Sequence, residues 1–387
     1  MKRFLKILII TMFLMVVFNV QNVSATTWSR ISKKTVKIDK DLKASVFFSV
    51  DKTECWINKL TVNKNCNKVK IPKKIEGAKV TRILYESRED IGVINNIFGK
   101  EYSTDEGVIY KNNVNIREII LPDSISQIGK LSFAGLAGLE KIQLPQNLKE
   151  IEERTFFACK NLRTVSISKA TEKIDFTSFY QCNSLQQINV SKDNNKYKVL
   201  KGFIVSKDGS KLYHWSVYTE NIVIPSSVKE LGKHALDTHR SHYVNLKLSV
   251  EKGNLYYASK NNCLYEKKTG KLVAAQASIR KEVHIPKEVK ILPAKVIWGT
   301  PTFTDIYISK TTRKWYAGWI VGISLDSEGT IHIEGNEMPK LCGKFKHTIM
   351  PVGKYYQVNK VLEKKLIQYM KKENHFVLKK GKGIYCG

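Results

Sequence analysis

Hydrophobic residues recur along this chain with a period of 23 residues. Three consecutive blocks, 116–138, 139–161 and 162–184, align without a gap. Four aligned positions are apolar in every block, and they hold Ile119, Ile142 and Val165; Leu121, Leu144 and Ile167; Ile128, Ile151 and Ile174; and Phe133, Phe156 and Phe179. No unit of this size can bury its apolar face alone, so the repeat predicts a solenoid whose neighbouring units share one core.

Each unit opens with the alternation of a short strand. Leu139, Ile142 and Leu144 are predicted to point inward, while Lys141 and Gln143 point outward. Proline ends the strand pairing where the chain must turn, and it recurs after the strand at Pro72, Pro122, Pro145, Pro225 and Pro286. The later Phe-x-x-Cys segment predicts a short helical turn across the back of the unit.

The array extends over about residues 66–335. Two longer units, 194–221 and 254–282, each contain a pair of strand-like runs. The turn signals Lys-Asp-Gly at 207–209 and Lys-Thr-Gly at 268–270 predict that each pair forms a hairpin. Residues 101–113 look like a degenerate third copy, so hairpin insertions are expected at three places.

The pattern L-x-x-I-x-L-P-x-x-L-x-x-I-x-x-x-x-F-x-x-C resembles BspA-type leucine-rich repeats over about residues 66–335. The N-x-x-Y inserts and the IPKKIEGAKVTRI opening share the resemblance. Two positions depart from it: Ser168 replaces the proline in block 162–184, and Leu136 replaces the cysteine in block 116–138. It implies an α/β solenoid, a curved right-handed leucine-rich-repeat superhelix with a parallel concave sheet. It also implies a secreted or surface-exposed microbial protein that binds other proteins or host matrix.

The segments outside the array have their own signals. Residues 1–25 are predicted to be a signal peptide. They contain the basic residues Lys2, Arg3 and Lys6, then an apolar run, and then Val-Ser-Ala at 23–25, which suits cleavage. The run is shorter than the ~20 residues of a membrane span, although an uncleaved anchor is the alternative. We expect an extracellular protein without a transmembrane span after cleavage, with 26–65 as an N-terminal cap region.

Residues 336–387 are predicted to form a basic C-terminal cap with an amphipathic helix at 354–373. Val358, Val361, Leu362, Leu366 and Tyr369 follow the spacing of one helical face. We expect this face to close the open end of the array. The same segment suggests binding to an anionic surface through the lysines on its other side and beyond, namely Lys364, Lys365, Lys371, Lys372, Lys379 and Lys380.

The formal net charge is +30 at pH 7, which favours anionic partners such as envelope polymers, with solubility as the simpler interpretation. One predicted outward row includes Val223, Lys247, His284, Tyr307 and His332, and the adjacent row includes Asn221, Glu282 and Asp305. Neither row is a basic stripe, so no specific nucleic-acid site is predicted. The rows are polar and partly aromatic, which suits a protein or glycan on host matrix or another cell. The candidate ligand-binding residues are Gln143, Asn189, Lys247, His284, Tyr307 and His332.

The chain has seven cysteines, and an odd number leaves at least one unpaired or intermolecular thiol. Cys159 and Cys182 occupy the same position one unit apart, within disulfide reach, but side chains pointing into a packed core favour buried thiols. Cys55 and Cys66 flank the N-terminal cap region and are the other candidate bridge.

Outside the outward rows of the strands, few residues suggest a metal, catalytic or ligand-binding site. His234, His239 and His242 with Asp237 suggest a metal site or exposed loop histidines, and the latter is favoured. Cys342, His347 and His375 lack the context of a thiol protease. The aromatic stretch 315–319 is either a ligand platform or packing for the last unit, and packing is favoured.

Three functions follow, with no enzyme activity, metal or cofactor expected. The first is an exported, adhesin-like binding protein. The second is a structural or scaffold protein retained at the envelope by its charge. A hydrolase with its site in 336–387 is the least favoured.

Overall fold

The chain forms two compact units, Met1–Lys196 and Tyr197–Gly387, which we describe separately. The computed structural model describes residues 32–63, 65–84, 93–95, 98, 101–103, 115–216, 219, 221–233, 235–236, 247–275, 282–294, 296–298, 305–316, 320–321, 330–342, 354–358, 360–372, 377–380 and 383–386. The predicted signal peptide, most of the insertion at 101–113 and the histidine cluster around His239 lie outside these residues. Each unit is a parallel β-solenoid with little helix.

The first unit begins with antiparallel pairing and changes to parallel pairing. Strands Ser32–Lys37, Leu42–Phe48 and Glu54–Val62 form an antiparallel sheet, and the third of them pairs in parallel with Ala78–Ile83. Alternate residues of Leu42–Phe48 are buried, as a strand with one face on a core requires. The role of 26–65 as a cap stays a prediction.

Two parallel ladders then run through the repeats of the first unit. The first joins Lys68–Lys70, Glu118–Ile120, Lys141–Gln143, Thr164–Ile167 and Gln187–Val190. The second joins Ala78–Ile83, Gln127–Ile128, Glu150–Ile151 and Lys173–Ile174. Lys74–Ile75 pairs with Ala78–Ile83 in antiparallel orientation, and Val93–Asn95 pairs with Glu101–Ser103 in the same way. The turns of blocks 116–138, 139–161 and 162–184 therefore each contribute one strand to each ladder.

The predicted register is confirmed at the aligned apolar positions. Ile119 faces Ile142, and Ile151 lies between Ile128 and Ile174 in the ladder. All but one of the twelve aligned positions are at most 6% exposed, and Ile174 is at 9%. The core of the unit is therefore a set of columns, each built from one repeat position.

The predicted helical turn at Phe-x-x-Cys is not a helix in any of the three blocks. A 3-10 helix, Phe176–Phe179, ends at the phenylalanine of the third block, and the Phe-x-x-Cys segments themselves form irregular turns. Ala158 and Gln181 have φ of 59°, and Gly135 has φ of 72°. These residues occupy the same repeat position in the three blocks. A left-handed residue at this position interrupts helical hydrogen bonding. The spacing of apolar residues does not reveal this backbone conformation.

The second unit contains two three-stranded antiparallel segments. The first joins Tyr197–Leu200, Phe203–Ser206 and Lys211–Trp215, and Lys211–Trp215 pairs in parallel with Glu230–Leu231. The second joins Tyr257–Lys260, Cys263–Glu266 and Leu272–Ala275, which continues in parallel to Ile297–Trp298 and Ile320–Val321. These segments occupy the two longer repeat units.

Three further sheets complete the second unit. Asn221–Ile224 pairs with Lys247–Val250, and Ile291–Leu292 pairs with Lys314–Tyr316 and then with Lys340–Cys342. The largest runs through Glu282–Ile285, Asp305–Ile308, Thr330–Ile333 and Lys354–Gln357 in parallel. It ends with Gly383–Cys386 and Val377–Lys380 in antiparallel pairing. This largest sheet presents the candidate residues from His284 onward.

The C-terminal helix is shorter than predicted. It spans Lys360–Lys372, because Lys354–Gln357 pairs as a strand with Thr330–Ile333 instead. Leu362 and Leu366 are fully buried in the core that contains Trp315, whereas Val361, predicted to share their face, is 52% exposed. Closure of the array end by this helix stays a prediction. Within the described ranges, no helix is long and apolar enough to cross a membrane.

Candidate functional site

The candidate ligand-binding residues fall into two groups, one in each unit. In the first unit, Gln143 is exposed beside Ile120 in the ladder, and Asn189 is exposed beside Ser166. In the second unit, the candidates are Lys247, His284, Tyr307 and His332. The outward alternation of the strands places all six on the solvent side of their sheets.

The register predicted for Lys247 is wrong. The sequence places it next to Val223 in the outward row, but it pairs with Asn221, and Ser249 is the partner of Val223. A shift of two residues preserves the alternation of inward and outward side chains, so the hydrophobic pattern cannot detect it. Lys247 remains exposed but belongs to the neighbouring row.

His284, Tyr307 and His332 form a stack, which we call the ring column. They are partners in consecutive strands of the parallel ladder. The ring centroids of His284 and Tyr307 lie 4.3 Å apart with planes 1° from parallel, and those of Tyr307 and His332 lie 4.2 Å apart at 5°. The sequence predicted this row, and its rings are in direct face-to-face contact.

Two carboxylates, Glu282 and Asp305, lie beside the column and form what we call the acid pair. They are direct partners in the ladder, one row away from the rings. The Glu282 carboxylate lies 3.1 Å from Nε2 of His284, and the Asp305 carboxylate lies 3.6 Å from Nε2 of His332. Asp305 also accepts a hydrogen bond from the backbone N–H of Thr330 at 2.7 Å, which fixes its position.

Electrostatics keep the tyrosine of the column protonated. Burial, followed by the negative charges of Asp305 and Glu282, raises the pKa of Tyr307 above its ordinary value. Its hydroxyl is therefore a hydrogen-bond donor and acceptor at physiological pH. The column thus presents polar ring atoms next to two acids.

The stacking limits what the column can bind. Its axis follows the ladder, so both faces of the Tyr307 ring are covered by imidazoles, and Nε2 of His332 is buried. A sugar needs an open aromatic face for stacking, and Tyr307 offers none. The arrangement suits hydrogen bonding and ion pairing at ring edges and carboxylates, which are contacts that protein side chains supply.

Many glutamates pair with a basic residue of a neighbouring turn: Lys68–Glu118, Arg117–Glu140, Lys173–Glu150, Lys211–Glu230, Lys260–Glu288 and Arg313–Glu337. Glu282 and Asp305 are direct partners of each other in the ladder. Like charges opposite each other destabilise a sheet. Sequence reasoning placed both in an outward row but missed their role; the available signal was an acid two residues before His284 and before Tyr307.

The basic C-terminal candidates lie in two elements. Lys364, Lys365 and Lys371 are exposed on the helix Lys360–Lys372, and Nζ of Lys365 donates to the backbone oxygen of Asn336 at 3.1 Å. Lys379 and Lys380 belong to the strand Val377–Lys380, not to the helix. The side chains of these two residues and of Lys372 lie outside the description.

The remaining candidates show no assembled chemistry in the described residues. Among the described residues, no group of three or more His, Cys, Asp or Glu side chains is placed to hold a metal ion. Cys55, Cys66, Cys159, Cys182, Cys263 and Cys342 are free thiols. The buried thiols favoured for Cys159 and Cys182 are therefore confirmed, and the candidate bridge between Cys55 and Cys66 does not form. Trp315 is fully buried and donates to the Thr312 backbone oxygen at 3.1 Å, which agrees with a packing role. His347 and His375 are outside the description.

Comparison with known proteins identifies the repeat. The family described as BspA type Leucine rich repeat region matches residues 107–200, with six copies. This confirms the resemblance over residues 107–200. No curated protein matches the chain.

Several solved structures are similar to the chain. A leucine rich cell surface protein from Faecalibacterium prausnitzii is 14% identical, with 84% of each chain covered and a TM-score of 0.43. The pneumococcal vaccine antigen PcpA is 16% identical over 87% of this chain and 96% of that chain, with a TM-score of 0.39. A leucine-rich repeat protein from Eubacterium ventriosum is 13% identical over 78% and 79%, with a TM-score of 0.41.

Proposed function

We propose that the chain is an exported, surface-associated protein that binds a protein partner in an adhesin-like manner. The match of residues 107–200 to BspA-type leucine-rich repeats supports this proposal. Repeat proteins of this kind are generally binding scaffolds, which supports a role without catalysis. The outward strand faces carry groups that can contact a partner. These groups are the polar, uncharged side chains of Gln143 and Asn189 and the ring column.

The ring column is the observation that carries the proposal. Three stacked rings with two adjacent carboxylates form a rigid, outward-facing group on consecutive strands. Rigid aromatic groups lose little conformational entropy on binding, which is why they dominate protein interfaces. The covered face of Tyr307 favours a protein over a glycan as the partner.

The test compares capture by the full chain with capture by the triple variant His284→Ala, Tyr307→Ala and His332→Ala. Immobilised matrix proteins and envelope fractions serve as probes at low and high salt. We expect saturable capture that survives high salt and is lost in the triple variant. The control Lys252→Ala with Tyr256→Ala removes an exposed lysine and an exposed tyrosine elsewhere. If the triple variant folds and is captured like the parent, the ring column is not the binding surface.

A second function, retention at an anionic envelope, is favoured by the exposed lysines of the C-terminal helix. Lys360, Lys364, Lys365 and Lys371 are all exposed, in a chain with a net charge of +30. A basic helix face attracts anionic polymers or lipid headgroups in a salt-dependent manner. This function uses the opposite face from Leu362 and Leu366, so it is compatible with the first.

A further inference from the structure

The strand Ser32–Lys37 lies at the edge of its sheet, and we call it the basic edge. It pairs on one side with Leu42–Phe48, and the described residues place no strand on its other side. Its exposed side chains are those of Lys33, Lys34, Thr35 and Lys37. The unpaired side of an edge strand presents backbone N–H and C=O groups that can pair with another extended chain. The basic edge is therefore a place where a further strand can be added.

The pairing register identifies which backbone groups point away from the sheet. Hydrogen-bonded and non-bonded pairs alternate along two antiparallel strands. Just beyond the basic edge, the N–H of Ile38 donates to the backbone oxygen of Leu42 at 2.9 Å. The bonded set therefore continues with every second residue, at Val36 and Lys34. The N–H and C=O groups that face the open side belong to the residues between them, namely Lys33, Thr35 and Lys37.

The two faces of the basic edge differ in chemistry. The strand carries three lysines and no acid. Its outer face contains Lys33, whose Nζ lies 5.5 Å from the ring centroid of the half-buried Phe47. Its inner face contains the half-buried Val36, which is the ladder partner of the fully buried Ala44. An added strand would therefore meet positive charge on one face and the margin of the apolar core on the other.

We propose that the basic edge binds an extended segment of a protein in which acidic and apolar residues alternate. The added strand runs antiparallel, like its neighbours in the sheet, with its acids opposite Lys33 and Lys37 and its apolar residues beside Val36. Main-chain hydrogen bonds supply affinity in strand addition, and alternate side chains supply specificity. Opposite charges on directly opposed residues stabilise the pairing. This site goes beyond the proposed function, because it uses no residue of the ring column.

Charge disfavours a second copy of the chain as the occupant. If two basic edges paired antiparallel about Thr35, Lys33 of each copy would lie opposite Lys37 of the other. Like charges directly opposite each other destabilise a sheet, and lysines are a common means of preventing contact between exposed edges. Lys34, on the inner face, already forms an ion pair with Glu76 at 2.5 Å. The outward lysines therefore oppose self-pairing and favour an acidic strand.

The test measures binding of a short dye-labelled peptide of alternating valine and aspartate to the full chain by fluorescence anisotropy. Methyl groups on the aspartate nitrogens remove the donors that would face the basic edge, and methyl groups on the valine nitrogens, which would face away, give the matched control. Thr35→Pro removes an outward N–H, which an edge strand tolerates, and Thr35→Ala keeps it. Lys33→Gln with Lys37→Gln removes two charges. Lys149→Gln with Lys169→Gln makes the same change at exposed lysines of the repeats.

We expect the Kd to rise at least about tenfold for the aspartate-methylated peptide, for Thr35→Pro and for the Lys33/Lys37 variant, because main-chain and charge-assisted hydrogen bonds are lost. The valine-methylated peptide, Thr35→Ala and the Lys149/Lys169 control should bind within about twofold of the parent. Equal binding of the two methylated peptides would overturn strand addition. So would a parent that does not bind the unmodified peptide. The methylated peptides leave the protein unchanged, so this comparison holds even if Thr35→Pro does not fold.

Three further measurements address other occupants and other sites. If a peptide of alternating proline and aspartate binds as tightly, the basic edge only attracts negative charge and strand addition is wrong. If sedimentation shows dimers of the parent that Thr35→Pro abolishes, a second copy occupies the edge and the acidic segment is the wrong occupant. The ring-column triple variant should bind the peptide like the parent, and loss of binding by the folded triple variant would contradict a site at the basic edge. Thermal unfolding establishes that each variant is folded.

Discussion

The rings of Phe133 and Phe156 lie 5.8 Å apart, with their planes 4° from parallel. Phe179 continues the stack at 5.9 Å from Phe156, and all three side chains are fully buried. They occupy one position in three consecutive turns, so each ring packs on the turns before and after it. The stability of one turn therefore depends on its neighbours.

Removal of the middle ring should destabilise the first unit strongly. We expect Phe156→Ala to cost about 3–5 kcal/mol, because it leaves a cavity between two phenylalanines that cannot close. A shift of the urea midpoint measures the loss, and hydrogen exchange should show faster opening in both adjacent turns. Lys149→Ala, at an exposed position of the same turn, is the control. An unchanged midpoint in Phe156→Ala would contradict the column.

A buried asparagine fixes the turn before the second antiparallel segment. Nδ2 of Asn254 donates to the backbone oxygens of Pro225 at 2.8 Å and Val228 at 3.0 Å. Asn254→Ala leaves both buried acceptors without these donors, so we expect a loss of about 2 kcal/mol or more. Chemical unfolding measures it, with Lys252→Ala as the exposed control. Equal stability of the two variants would mean that water replaces the amide.

One ion pair should make stability depend on pH in the acid range. Lys201 and the backbone N–H of Ser226 lower the pKa of Glu251 to about 2. The pKa is below its ordinary value of about 4.3, so the interaction stabilises the fold above that pH and is lost as the pH falls toward 2.

The variant Glu251→Gln tests this sign. At pH 5 it should unfold at a lower urea concentration than the parent, and the difference should shrink as the pH approaches 2. Glu153→Gln, an exposed acid in the first unit, controls for the general effect of removing a carboxylate. A difference between parent and Glu251→Gln that is constant from pH 5 to pH 2 would show that Glu251 titrates normally.

The buried cysteines should resist alkylation in the folded protein. Burial raises the pKa of Cys182 and of Cys263 to about 12 and that of Cys159 well above its ordinary value. The thiolate is the reactive form, so these three sites should be modified far more slowly than the half-buried Cys342. Mass spectrometry after iodoacetamide treatment measures the order, and the urea-unfolded chain should lose it. Fast labelling of Cys182 in the folded state would contradict its burial.

Charge reversal tests the role of the basic helix. Changing Lys364, Lys365, Lys371 and Lys372 to glutamate should release the protein from vesicles rich in anionic lipid, most clearly at low salt. The same change at Lys192, Lys207, Lys252 and Lys268, which lie outside the helix, gives a control of equal charge. If both variants bind the vesicles like the parent, the helix does not attach the protein to anionic surfaces.

The repeat made much of the first unit predictable, because each core column uses one position of every block. Ile119, Ile142 and Phe156 needed only the 23-residue spacing to be placed. Local properties were not predictable from that spacing. The left-handed conformation at Ala158 prevents the helical turn, and pairing with Thr330–Ile333 turns Lys354–Gln357 into a strand.

The candidate site was predictable in part. Alternation identified His284, Tyr307 and His332 as one outward row, and the ladder confirms that they are partners. Alternation failed for Lys247, since a shift by two residues leaves the pattern unchanged. The contacts of Glu282 and Asp305 with the histidines were not predicted, because alternation separates inward from outward positions and does not give the distance between side chains of neighbouring rows.

The uniform ladder has a consequence for how such a chain can change its length. Ile119 faces Ile142, and Phe156 stacks between Phe133 and Phe179. Excision of the block 139–161 would bring Phe133 opposite Phe179 and Ile119 opposite Val165, with every column still continuous. Recombination between blocks can therefore remove or duplicate whole turns without a new core having to evolve. The length of the solenoid can therefore change during evolution in steps of one turn.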